Sequence, residues 1–188
     1  MILYINSIRN STTVQIFGSG FDTIYAGNTL AHMYSDAVVH PGGLALMALD
    51  YQGYQPNMNF EVIQNLVHDA IGGLGILIDG NPANMSLSHG HVVRDNVVTG
   101  KHVAPFAFSS FDGAITVGVD ADDKSCGSKG STGKCSFGSV KGAVVGVVVE
   151  GNSVTLRGGG QGGSCKQNGV RVFAENTVTR ANTCIENV

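Results

Sequence analysis

A short phrase returns along the whole chain: an apolar residue, two spacers, Asn, one spacer and a second apolar residue. It reads LYINSI at Leu3–Ile8, YAGNTL at Tyr25–Leu30 and VIQNLV at Val62–Val67, then VRDNVV at Val93–Val98, VEGNSV at Val149–Val154 and FAENTV at Phe173–Val178. A phrase that recurs in this way marks stacked structural units, each burying an apolar face against its neighbours. The spacing is uneven. From Asn6 to Asn28 it is 22 residues, then 37 to Asn65, 31 to Asn96, 56 to Asn152 and 24 to Asn176. The short intervals suit one turn of a β-solenoid built from about three short strands. The longer ones then carry insertions, at 31–59, 82–91 and 121–140. The 56-residue interval reads either as two turns, with Asp120 of VGVD in place of Asn, or as one turn with an insertion. Six or seven turns would stack to roughly 30 to 35 Å at the spacing of neighbouring strands.

A second phrase, Gly-apolar-spacer-apolar, often precedes the first. It reads GLAL at Gly43, GILI at Gly75, GVVV at Gly146 and GVRV at Gly169, with looser versions TVQI at Thr13 and GAITV at Gly113. Alternation at period two predicts short strands with one buried face. Composition agrees: 27 Gly, no Trp and only 13% charged residues, with Val and Ile prominent, favour strands and tight turns over helices. Asn tolerates left-handed backbone geometry, and stacked Asn amides can bond to one another along a repeat. Asn6, Asn28, Asn65, Asn96, Asn152 and Asn176 are therefore expected to form a structural ladder.

These two motifs, spread over nearly the whole chain, resemble those of the right-handed parallel β-helix superfamily, the pectate-lyase-like proteins. The resemblance implies an all-β chain, a single right-handed parallel β-helix over residues 1–188. Relatives include pectin and alginate lyases, polygalacturonases, uronan epimerases, phage tailspikes and non-catalytic repeats of large surface proteins. In the enzymes, outward side chains of stacked strands build a cleft on one face of the solenoid. Placing the GILIDGN and GVVVEGN heptapeptides side by side puts Asp79 and Glu150 in one outward column, next to a column of Ala45, Leu77, Thr116, Val148 and Arg171. Asp79, Glu150 and Arg171 are the candidate catalytic residues. Two carboxylates one or two strand spacings apart match the separations used in glycoside hydrolysis. The aliphatic members of the neighbouring column read as a face covered by a loop or a partner.

His68, His91 and Arg94 are candidate substrate-binding groups, since lyase chemistry needs a positioned base and a cation to stabilise an enolate. Uronan epimerases carry an Asp-Pro-His-Asp signature; here only His68-Asp69 is present, which leaves epimerisation unsupported. Pectate-type lyases hold calcium with Asp clusters, so Asp120, Asp122 and Asp123 are candidate calcium ligands, the one cofactor in view. Asp and His at such positions also serve as ordinary turn residues. Phosphate-binding and nucleophile-elbow motifs are absent. A formal net charge of −3 leaves no basic footprint for nucleic acid, and no apolar run is long enough for a membrane helix.

Cys126 and Cys135 flank the loop GSKGSTGK and read as a disulfide closing it, and Cys165 with Cys184 as a second pair across neighbouring units. Disulfides call for an oxidising compartment. Asn10 and Asn84 head glycosylation sequons. Together these are expected to place the protein outside the cell or on a cell or virion surface, and repeat units that run to both ends read as a segment of a longer chain. Two function classes stay open: a domain that binds or cleaves polysaccharide, and a non-catalytic structural or adhesive solenoid whose partners are neighbouring chains, a homo-oligomer among them.

Overall fold

The structure, a computed structural model, describes residues 2–4, 7–9, 16–18, 21–33, 46–48, 58–71, 76–78, 88–101, 114–117, 144–157, 165–172 and 174–187. They form three parallel sheets. Sheet A runs in the order β1 (Ile2–Tyr4), β4 (Ile24–Ala26), β7 (Glu61–Ile63), β11 (Val92–Arg94), β15 (Val148–Glu150), β18 (Val178–Arg180). Sheet B stacks β2 (Ser7–Arg9), β5 (Thr29–Met33), β8 (Leu66–Ile71), β12 (Val97–Lys101), β16 (Ser153–Arg157) and β19 (Thr183–Asn187). Sheet C stacks β3 (Ile16–Gly18), β6 (Leu46–Ala48), β9 (Ile76–Ile78), β13 (Ile115–Val117) and β17 (Val170–Val172). A narrower fourth line joins Phe21, Met58, His89, Val145 and Glu175 through single bridges and the pair β10 (Ser88–His89) and β14 (Val144–Val145). A single helical turn, α1 (Cys165–Asn168), precedes β17. Stacked parallel sheets of very short strands are compatible with the expected β-solenoid.

The period-two pattern explains the interior. Tyr25, Val62, Val93 and Val149 lie in register across sheet A, as do Leu30, Val67, Val98 and Val154 across sheet B. All eight are buried. Each such aliphatic side chain contributes about 1.5 kcal/mol or more by leaving water. Tyr25 stacks on Phe60 with ring centroids 5.8 Å apart.

The sharp corner between sheets A and B is carried by the Asn ladder. The backbone N–H and the Nδ2 of Asn28 both donate to Oδ1 of Asn65, at 3.0 and 2.9 Å. Asn65 donates in the same way to Asn96, and Asn96 to Asn152. The second Nδ2 hydrogen turns back to a carbonyl one strand earlier: Tyr25 for Asn65, Val62 for Asn96 and Val93 for Asn152. The amides of these three residues thus give two hydrogen bonds and accept two. That full satisfaction is what allows them to be almost wholly buried.

Two expectations change here. The last rung is Asn182, not Asn176: Asn152 donates to Asn182 Oδ1 at 2.8 Å, while Asn176 is exposed at the other corner. FAENTV imitates the phrase, but the segment in register is TRANTC, where Thr179 and Cys184 fill the apolar positions. The 56-residue interval also resolves, since Arg94 pairs directly with Glu150 and Asn96 with Asn152. No strand is stacked between them in sheet A or B.

Among the described residues, each corner flanking sheet A holds one residue in the left-handed region: Asp22, Asn59, Gly90, Gly146 and Asn176 before sheet A, and Gly27, Gln64, Asp95, Gly151 and Ala181 before the ladder. Gly146 and Gly151 differ in their surroundings. A Cβ on Gly146 would meet nothing within 4 Å, whereas one on Gly151 would lie 2.4 Å from Oδ1 of Asp95. Gly146→Ala is expected to cost only the backbone strain, about 1 kcal/mol. Gly151→Ala should cost more, and its excess should vanish in an Asp95→Ala background, as read from thermal melts of the four variants.

Candidate functional site

Sheet A gathers the charged groups that the sequence brings to one outer face. Ala26, Ile63, Arg94, Glu150 and Arg180 follow one another in register, at the edge of the sheet next to the ladder corner. Glu150 Oε2 accepts a hydrogen bond from Arg180 Nε at 2.5 Å. Arg94 is exposed on the strand on the other side of Glu150. Glu150 therefore sits between two guanidinium-bearing positions, one strand spacing from each. Among the described residues no second carboxylate shares that column, so the carboxylate pair of glycoside hydrolysis is missing there.

The other candidates scatter. Arg171 lies on β17 of sheet C, half-buried, in register with Thr116 and Leu77. GILI and GVVV, nearly identical in sequence, belong to different sheets: β9 is in sheet C and β15 in sheet A. The expected single column of Leu77, Thr116, Val148 and Arg171 is thus divided, with Val148 on sheet A. Ala45 lies outside the described residues, and Met47 holds the register position beside Leu77. Asp79 is likewise undescribed, but the strand leading to it is not a neighbour of the strand carrying Glu150. The shared heptapeptide misleads because alternation and a following Gly suit any inward-facing strand, whichever sheet it joins.

His68 is half-buried on sheet B. His91 is not a surface group at all. It is fully buried, its Nδ1 accepts the backbone N–H of Phe60 at 3.3 Å, and its ring lies 5.7 Å from that of Phe60. Burial, aided by the neighbouring His89, lowers its pKa to about 4, so the ring is neutral at pH 7. This corrects its reading as a substrate-binding residue; it occupies the interior column of Thr23, Phe60 and Val147.

Cys165 and Cys184 form a disulfide. Cys126, Cys135, Asp120, Asp122, Asp123, Asn6, Asn10 and Asn84 lie outside the described residues. Among the described residues no three His, Cys, Asp or Glu side chains are placed to hold a metal ion, and no helix is long and apolar enough to cross a membrane. Arg180 and Asn182 were not singled out by sequence reading. Their signal was the ArgAlaAsnThr run of TRANTC, hidden because its flanks are not aliphatic.

No protein-family model, curated protein or solved structure matches the chain. Its function must be argued from its own geometry.

Proposed function

We propose that the chain is a non-catalytic structural module: a right-handed β-solenoid of six turns that serves as a stiff spacer in a longer surface protein or assembly. The observation that carries this reading is the Asn ladder from Asn28 to Asn182, a buried polar spine that ties successive strands together, while Glu150 and Arg171 lie on separate sheets. Such a spine favours rigidity and fixed register over a cleft. The disulfide supports an oxidising setting, outside the cell or on a cell or virion surface.

The test is an assay of the folded chain on a panel of uronans and neutral polysaccharides, with and without calcium. No turnover is expected under any condition. Product formation that disappears in Glu150→Gln would overturn the reading in favour of a lyase or glycoside hydrolase.

A second reading has one observation behind it. Arg94 and Arg180 on the outer face of sheet A would suit the carboxylates of an acidic polysaccharide, held without cleavage. Calorimetric titration with an oligouronate should then give salt-sensitive binding, lost when both arginines become Ala.

A further inference from the structure

Strand β7 is entered and left through side-chain acceptors that belong to the next stacking level. At its entry the Phe60 N–H donates to His91 Nδ1 at 3.3 Å; at its exit the Asn65 N–H donates to Asn96 Oδ1 at 3.0 Å. The backbone around the two corners is alike. Val92 N–H donates to Phe60 O at 2.8 Å, and Val97 N–H to Asn65 O at 2.9 Å. His91 and Asn96 are both fully buried. They differ in one property: an amide keeps its acceptor at every ordinary pH, whereas an imidazole becomes a double donor when it takes up a proton.

Among the described residues with buried polar side chains, His91 is the one that gains a charge between neutral and acid pH. Once protonated, Nδ1–H would point at the Phe60 N–H, donor against donor, with the Phe60 ring 5.7 Å away. The charged groups of the neighbouring segments face elsewhere. Glu61, beside Phe60, and Glu150, on the strand that follows Val147, hold outer positions of sheet A, as does exposed Arg94 on the strand that His91 leads into. Exposed His89 lies on the narrow fourth line. Across the interior, Ile115 and Val117 of sheet C are buried and apolar. Tyr25, stacked on Phe60, has its hydroxyl pushed up to about 12 by burial and stays neutral in acid. No Asp or Glu is buried among the described residues, so none is placed in the interior to pair with an imidazolium.

We infer that the Phe60–His91 corner is an acid-sensitive joint in the body of the stack, opening on acidification while the Asn65–Asn96 corner of the same strand stays closed. Local opening lets the imidazole reach water and charge there, so acid pulls the equilibrium toward the open corner. The ladder amides carry no titratable group and are indifferent to the same change. The stack is then stiff at neutral pH and jointed at one level in acid, where the Phe60 ring becomes reachable from solvent. The inference goes beyond the spacer reading and does not rest on the absence of catalysis.

The test is native-state hydrogen exchange of the full chain, read as protection factors of single amides so that the pH dependence of intrinsic exchange is removed. Between pH 6.5 and 4.5 the Phe60 amide should lose protection roughly 40-fold, as an open-state pKa of 6.5 and a closed-state pKa of about 4 require. The Asn65 amide should change by less than about threefold. His91→Gln keeps an acceptor that does not titrate, and should abolish the difference between the two amides. Equal losses at Phe60 and Asn65 would mean that acid loosens the whole stack, which overturns the joint. So does an unchanged Phe60, or a loss that persists in His91→Gln. Should that variant not fold, the imidazole nitrogen shifts of the wild type serve instead. They should titrate over the range in which Phe60 loses protection, and titration with Phe60 still protected overturns the inference. None of these readouts involves polysaccharide, so failure of the joint is distinguishable from failure of the spacer reading.

Discussion

Asn96→Ala is expected to destabilise the protein by about 4 kcal/mol or more, enough to unfold a domain of ordinary stability at moderate temperature. The side chain of Asn96 accepts from the N–H and Nδ2 of Asn65, and donates to Val62 O and to Asn152 Oδ1. Truncation leaves the two Asn65 donors and the Val62 carbonyl buried without partners, each costing about 1–3 kcal/mol. Asn152 Oδ1 keeps one bond, from the backbone N–H at 96. Asn96→Asp should fare no better. It preserves shape and acceptors, but sets an oxygen against both the Val62 and Asn152 oxygens and buries a charge. Asn182→Ala is the internal comparison. That rung is half-buried: its side chain accepts from the N–H and Nδ2 of Asn152 and donates to Val149 O at 2.8 Å, but water can reach this corner and replace much of what is lost. Its cost should be nearer 1 kcal/mol. Urea titrations of the three variants decide the matter. A loss below about 1 kcal/mol for Asn96→Ala would mean the ladder is decoration and that packing of the valine columns alone sets the register.

The same residues show how far the sequence could be read. Asn28, Asn65, Asn96 and Asn152 were legible because each corner repeats one demand: a left-handed residue, then an amide that bonds forward and back along the stack. Flanking aliphatics made the phrase visible. Where the flanks changed chemistry, at Thr179 and Cys184, the phrase was lost and FAENTV took its place. Strand existence was legible too, since alternation at period two needs no partner to be recognised. Sheet membership was not. GILIDGN and GVVVEGN satisfy the same local rule, and only register, fixed by the intervening loops and neighbouring strands, sends one to sheet C and the other to sheet A. The placing of Asp79 and Glu150 in one column rested on that equivalence. The burial of His91 was hidden for a related reason. In sequence it sits among polar residues, SHGHVVRD, yet its position is one step after a left-handed corner, where the chain turns inward.

That inward turn makes His91 the source of a second large effect. Its folded-state pKa, about 4, lies below the ordinary value of 6.5 because desolvation disfavours the imidazolium, with a smaller contribution from His89. The proton therefore binds the unfolded chain more readily than the folded one. Above pH 6.5 both states are neutral at this site and the full contribution to stability is present. As pH falls from 6.5 toward 4, only the unfolded chain takes up the proton, and stability should drop by about 1.4 kcal/mol per pH unit. Below about pH 4 the folded state is protonated too and the loss levels off, for a total of about 3 kcal/mol. Protonation in the folded state also removes the Nδ1 acceptor for Phe60 N–H, so acid acts on the same strand neighbours that the ladder joins. His91→Phe separates the two contributions. It deletes the titration but leaves the Phe60 N–H unpaired, so the variant should be about 1–2 kcal/mol less stable at pH 7.5. Its stability should nevertheless decline less steeply on acidification, because every other ionisable group is common to both proteins. The gap between wild type and variant should thus close or invert between pH 6.5 and 4 in urea titrations. Parallel pH profiles would show that His91 is protonated equally in both states, which an imidazole enclosed by Phe60 and Val147 should not permit.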